Sequence, residues 1–172
     1  QDTRGFTVEQ AYSILPETQA YFYVPENISS EQETISAQLG EDPQQIIDLQ
    51  PFTESQEGVC YLFLVDESTS ISYQQMDQIK RALSVFRQEH ISEKDKFLLI
   101  GFGEQVNVLL DGSENLVAAQ EKINSLTRDQ EGTLFFDAVK RAVELTQGFG
   151  EDYPQRKVAI AITDAVDFNV GG

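Results

Sequence analysis

Cys60-Tyr61-Leu62-Phe63-Leu64-Val65 is an unbroken apolar run, and it ends abruptly on Asp66-Glu67-Ser68-Thr69-Ser70. A run of this length, with bulky and aromatic side chains throughout, fits a strand buried on both faces. The segment after it needs only to be polar, yet it sets hard oxygen donors at positions i, i+2 and i+4: Asp66, Ser68 and Ser70. Aspartate and serine before a helix are ordinary N-caps. Their position directly after a buried strand gives the spacing a second meaning.

Working outward, short apolar runs recur at 59–65, 97–102, 106–110 and 158–163. Helical patterns lie between them. Over 72–89, Tyr73, Met76, Ile79, Leu83 and Phe86 fall at spacings of three and four, which puts them on one stripe. Leu116, Ala119, Ile123 and Leu126 form a second stripe, and Phe135, Val139, Ala142 and Val143 a third; all three are expected to face the core. Strands alternating with helices predict an α/β fold, a doubly wound, mostly parallel sheet with helices on both faces. Only Gly103-Glu104-Gln105 separates 97–102 from 106–110, too short for a crossover helix, so those strands are expected to form an antiparallel hairpin with one reversed edge strand. Gly101 and Gly103 fit a hairpin turn better than a phosphate loop, because a further glycine and a following helix are missing.

The first fifty or so residues read differently. Alternation over 19–24, a stop at Pro25 and strands near 35–39 and 46–49 predict a β-rich segment, with a weak helical stretch at 8–14 and a polar loop over 26–33. The domain division is accordingly 1–51 for a β-rich extension or part of a preceding domain, and 52–172 for the α/β domain.

Twelve basic against twenty-nine acidic side chains leave a net charge of −17, which repels nucleic-acid phosphates and anionic bilayers alike. No window reaches the roughly 18 to 20 apolar residues of a spanning helix, and no signal-peptide pattern opens the chain. The single cysteine, Cys60, excludes an intrachain disulfide and reads as a small buried hydrophobe. The lone His90 reads as a solvated helix end, and one histidine makes no histidine metal cluster.

The run 158–163 also ends in an acid, Asp164, after Thr163. In open parallel sheets, ligands gather outside the carboxyl ends of the strands. If the strands before Asp66 and Asp164 are neighbours, the two carboxylates repel each other unless a proton or cation lies between them. Carboxylates and hydroxyls without histidine or thiolate suit Mg²⁺, Mn²⁺ or Ca²⁺ better than zinc or copper.

Asp66-Glu67-Ser68-Thr69-Ser70 after an apolar strand, Gly132-Thr133 before the helix containing Phe136-Asp137-Ala138-Val139, and Ile162-Thr163-Asp164 together resemble the von Willebrand factor A-type domain. In that family these segments form the metal-ion-dependent adhesion site. The resemblance implies Ser68 and Ser70 as hydroxyl ligands, Asp66 acting largely through water, Thr133 as the second-loop ligand and Asp164 as the third-loop ligand. It covers about Gly58 to Gly172. It also implies a Mg²⁺ (or Mn²⁺ or Ca²⁺) cofactor, a protein partner presenting a carboxylate, and an extracellular or cell-surface, secreted, bacterial setting, with a cytoplasmic one as the alternative. The family continues beyond its third loop with further helices and strands, so the C-terminal portion is expected to be incomplete. The strand at 158–163 would then expose an edge that a missing segment, a second chain or the N-terminal segment completes.

Two other readings compete. One is an intracellular assembly or chaperone-associated A-type domain. The other is a phosphohydrolase of the haloacid dehalogenase type, which also follows an apolar strand with an Asp nucleophile but needs a second acid two residues on, where this chain has Ser68.

Overall fold

The computed structural model describes residues 7–14, 17–24, 35–150 and 152–164. They fall into two units, Gln1–Ser55 and Gln56–Gly172. In the first unit, β1 (Thr7–Ile14) and β2 (Glu17–Tyr23) pair antiparallel, with Ala11 opposite Ala20 and an irregularity between Val8 and Gln10. The expected helical stretch at 8–14 is therefore a strand. So few residues cannot sustain a helix alone, whereas pairing with β2 satisfies their backbone groups. Further along, β3 (Ala37–Leu39) and β4 (Asp42–Gln44) make a hairpin with Leu39 opposite Asp42. Gly40 turns it at φ +64°, a left-handed conformation that glycine adopts without steric cost. That tight turn assigns the second strand to 42–44, and the strand expected at 46–49 does not form. The loop expected at 26–33 lies outside the described residues. Phe52, in a short 3₁₀ turn (Phe52–Glu54), meets the Tyr21 ring edge-to-face at 5.7 Å.

The second unit holds a sheet of β5 (Val59–Asp66), β6 (Lys96–Phe102), β7 (Val106–Leu110) and β8 (Arg156–Ile162), in the order β7-β6-β5-β8. β5 runs parallel to both β6 and β8, and β7 is the reversed edge strand of the expected hairpin. Alternate residues of a strand point to opposite faces. Phe63, Val65 and Leu99 accordingly pack with Met76 and Leu83 of α1 (Tyr73–His90) and with Ala119 and Ile123 of α2 (Leu116–Ser125). Cys60, Leu62, Leu64, Leu98 and Ile100 pack on the other side with Ala138 and Ala142 of α3 (Phe135–Gln147). Helices on both faces are the reason β5 is apolar without alternation.

Helix starts are set locally. Ser72 Oγ accepts from Gln75 N at 3.2 Å while Ser72 N donates to Gln75 Oε1 at 2.8 Å, a reciprocal cap that opens α1. The Asn115 side chain accepts from the amides of Val117 and Ala118, both at 3.0 Å, and opens α2.

Two stripes depart from expectation. Tyr73, the first residue of α1, is 77 % exposed and carries the Arg128 guanidinium over its ring instead of packing in the core. On α3 the contact with the sheet is made by the small Ala138 and Ala142, which leaves Val139 and Val143 exposed. Those valines line a groove of about 310 Å³ with Leu62, Leu64, Ala159 and Ala161. β8 is an edge strand among the described residues, and its burial is only partial, unlike the two-sided burial expected of it.

Candidate functional site

Val65 of β5 lies opposite Ile162 of β8, so the next residues, Asp66 and Thr163, stand side by side where the strands leave the sheet. Thr163 Oγ1 donates to Asp66 Oδ2 at 2.7 Å, and Asp66 Oδ1 accepts from Ser68 N at 2.8 Å. Asp66 is fully buried with both carboxylate oxygens engaged. The second of these bonds curls the chain after β5, since an aspartate that accepts from the amide two residues on makes a turn with its own side chain. The turn brings Ser68 and Ser70 together: their hydroxyls share a hydrogen bond of 2.7 Å. Ser70 Oγ then donates to Asp164 Oδ1 at 2.9 Å. Four of the five expected residues, Asp66, Ser68, Ser70 and Asp164, thus belong to one network drawn from two adjacent strand ends.

The fifth, Thr133, comes to the same edge on the loop between α2 and α3. Ser68 forms a parallel bridge with Gln130, supported by Thr69 N donating to Gln130 O at 2.8 Å and Gln130 N donating to Glu67 O at 3.2 Å. Leu134 N donates to Gly103 O at 3.0 Å. With residues on both sides of it tied down, Thr133 is held buried.

Glu67 went unnoticed in the sequence. It is 5 % exposed, and its Oε1 accepts from Thr127 N at 2.8 Å and from Thr127 Oγ1 at 3.3 Å, while Oε2 accepts from Gln130 Nε2 at 3.3 Å. Burial pushes its carboxyl above the usual range, and the Thr127 bonds pull it back. Glu67 therefore laces the loop after β5 to the loop that carries Thr133. Two glycines make room for this: a β-carbon on Gly101 would meet Glu67 Oε2 at 2.2 Å, and one on Gly103 would meet the Gln130 side chain at 2.5 Å. Gly101 lies inside β6, where a turn does not require glycine, and is the one sign in the sequence of the buried Glu67 side chain.

Among the described residues no three His, Cys, Asp or Glu side chains cluster as a metal-ligand group. The donors at this edge are two carboxylates and three hydroxyls, all oxygen, a composition that fits a hard divalent cation and no soft one.

The family of von Willebrand factor type A domains matches residues 61–166. Among solved structures, the chain is similar to the vWF domain of the type V pili tip protein Mfa5 from Porphyromonas gingivalis, with 18 % identity and a TM-score of 0.53 over 64 % of this chain and 39 % of that one. It is similar to the PilB minor pilin from Streptococcus sanguinis, with 18 % identity and a TM-score of 0.55 over 67 % of this chain and 31 % of that one. The same holds for proximal thread matrix protein 1 from the mussel byssus, at 19 % identity and a TM-score of 0.55 over 67 % and 33 %. At such identities the likeness is one of fold, and the chain spans less than two fifths of each of these proteins. No curated protein sequence gives a significant match. The matched span runs from β5 past β8 and takes in every loop at the carboxyl edge of the sheet, and the chain belongs to the von Willebrand factor type A domain family.

Proposed function

We propose that the unit spanning residues 56–172 is a divalent-cation-dependent protein-binding module, with Asp66, Ser68, Ser70, Thr133 and Asp164 as the groups that hold Mg²⁺, or Mn²⁺ or Ca²⁺ in its place. The observation that carries this reading is the run of contacts from Thr163 through Asp66, Ser68 and Ser70 to Asp164, which gathers oxygens from two strand ends. A bound dication would act as a Lewis acid toward an anionic oxygen of a partner, such as a carboxylate. The chain's own part is to present the oxygens already ordered. Asp66 is fixed by Ser68 N and Thr163 Oγ1, and Glu67 keeps the Thr133 loop in place. Preordered groups spend less conformational entropy on binding.

A hydrolytic reading is less well supported. Ser68 stands where a phosphohydrolase of that type needs its general acid. The pilus-tip, minor-pilin and byssus proteins of similar fold favour an extracellular or cell-surface setting. No described helix is long and apolar enough to cross a membrane. Residues 1–55 are read as a β-rich lead-in to the module.

The test is calorimetric titration of the chain with Mg²⁺ and Mn²⁺, repeated with Asp66→Asn and with Ser68→Ala plus Ser70→Ala. Saturable binding lost in both variants, with their circular dichroism unchanged, is the expected result. Equal affinity in the wild type and in Asp66→Asn would sink the ligand assignment.

A further inference from the structure

The loops at the carboxyl edge of the sheet carry Asp66, Glu67, Glu104, Asp129, Glu131 and Asp164, and among their described residues Arg128 is the one basic side chain. In a chain of net charge −17 an arginine has no shortage of carboxylates, yet among the described residues Arg128 forms no ion pair. Its guanidinium lies over the ring of Tyr73, 4.6 Å from the centroid, and its Nη2 donates to the carbonyl of Thr69. Thr69 sits between Ser68 and Ser70, so the cation is anchored to the backbone of the loop that carries the proposed metal ligands. Nε is buried with no hydrogen-bond partner among the described residues, a cost the fold accepts to keep the head group there.

With Nε buried and one Nη2 hydrogen given to Thr69, the other Nη hydrogens are the donors left to meet an anion. The Tyr73 ring beneath it and the Thr69 carbonyl beside it hold the head group in place, so an incoming anion meets a cation that is already positioned. Tyr73 itself is 77 % exposed, and tyrosine and arginine are among the residue types enriched where binding energy concentrates at protein interfaces.

We propose that Arg128, stacked on Tyr73, is a second recognition point for anions beside the metal site, and that the partner is an acidic protein segment presenting two neighbouring carboxylates, one for the cation and one for Arg128. The proposal rests on the metal-dependent reading above and adds the chemistry of the partner. Charge complementarity carries it: on an edge that otherwise repels acids, the proposed dication and Arg128 are the two attractive points.

Two peptides test it on the full chain in saturating Mg²⁺, with affinities read by NMR titration: N-acetyl-Asp-Asp-amide and N-acetyl-Asp-Ala-amide. A charge-assisted guanidinium–carboxylate bond predicts that the wild type prefers the doubly acidic peptide by about tenfold, and that Arg128→Gln removes the preference. Equal affinity of the two peptides for the wild type overturns the proposal while leaving the metal reading intact, and it needs no variant to fold. A preference that survives in Arg128→Gln overturns it as well. So does a fall in Mg²⁺ affinity of Arg128→Gln equal to its loss for both peptides, which would make Arg128 a strap between loops. Peptide binding that is indifferent to a chelator removes the metal reading itself, and this proposal with it.

Discussion

The carboxylate of Glu67 lies so close to the α-carbon of Gly101 that a β-carbon there would stand 2.2 Å from Oε2 and 2.9 Å from Cδ. The end of a glutamate side chain normally swings away from such a clash. Here it is held by Thr127 and Gln130 and is almost fully buried. Gly101→Ala is therefore expected to lower stability by about 1–3 kcal/mol, the usual cost of overpacking. Glu67→Ala leaves the Thr127 amide and the Gln130 side chain without an acceptor, at a comparable cost of about 1–3 kcal/mol. In the double variant the clash disappears, so the two losses should not add, and urea denaturation of the four proteins measures the coupling. Simple additivity would show that the contact is not energetically real.

Gly58 is a harsher case. A β-carbon there would meet the carbonyl oxygen of Lys94 at 1.8 Å and its carbon at 2.5 Å. Backbone atoms cannot rotate aside, and Val59 N is already committed to Asp95 Oδ1 at 2.7 Å in the same turn. Gly58→Ala should cost more than Gly101→Ala, on the order of 3 kcal/mol or above. Thermal melts of the two variants side by side give the ranking.

Cys60 is fully buried in β5, and desolvation pushes its thiol up to about 11 despite the opposing pull of Lys157 and Lys96. Because the thiolate is the nucleophile, a pKa near 11 leaves roughly one thiol in a thousand ionised at pH 8, against about a quarter for a free cysteine. Ellman's reagent should thus react slowly with the native chain and rapidly once guanidinium unfolds it. Fast native reaction at pH 8 would place Cys60 in a solvated site.

The reciprocal cap of Ser72 and Gln75 stands directly after the Ser68–Ser70 loop. Ser72→Ala removes the acceptor for Gln75 N, and a loss of about 1 kcal/mol is expected from denaturant titration. The Ser68–Ser70 contact is held separately through Asp66 and Asp164. Any Mg²⁺ affinity measured for the wild type should therefore survive in Ser72→Ala to within a factor of about two or three, which is the size of a few tenths of a kcal/mol.

Much of this arrangement was written locally. The unbroken apolar run of β5 announces a strand covered on both sides, and Gly103-Glu104-Gln105 allows nothing but a hairpin between β6 and β7. Spacing alone set Asp66, Ser68 and Ser70 on one turn, because an aspartate accepting from the amide two residues ahead is a property of a few consecutive residues. Where local pattern and structure differ, the deciding interaction is remote. Residues 8–14 form a strand because β2 lies beside them, and Val139 and Val143 stay exposed because the sheet contact of α3 falls on Ala138 and Ala142. Nothing local marks Glu67 as buried; the approach of Thr127, Gln130 and Gly101 makes it a tie between loops.

The sequence by itself determined the alternation of strands and helices and the residue types at each strand end, since both follow from periodicity and short-range hydrogen bonding. The tertiary structure decided that β8 lies next to β5, which brings Asp164 to Ser70 and Thr163 to Asp66 across more than ninety residues of chain. It also decided that Arg128 rests on Tyr73. The physical reason is that strand order depends on which faces can be buried together over the whole sheet, a sum over many distant contacts that no local pattern contains.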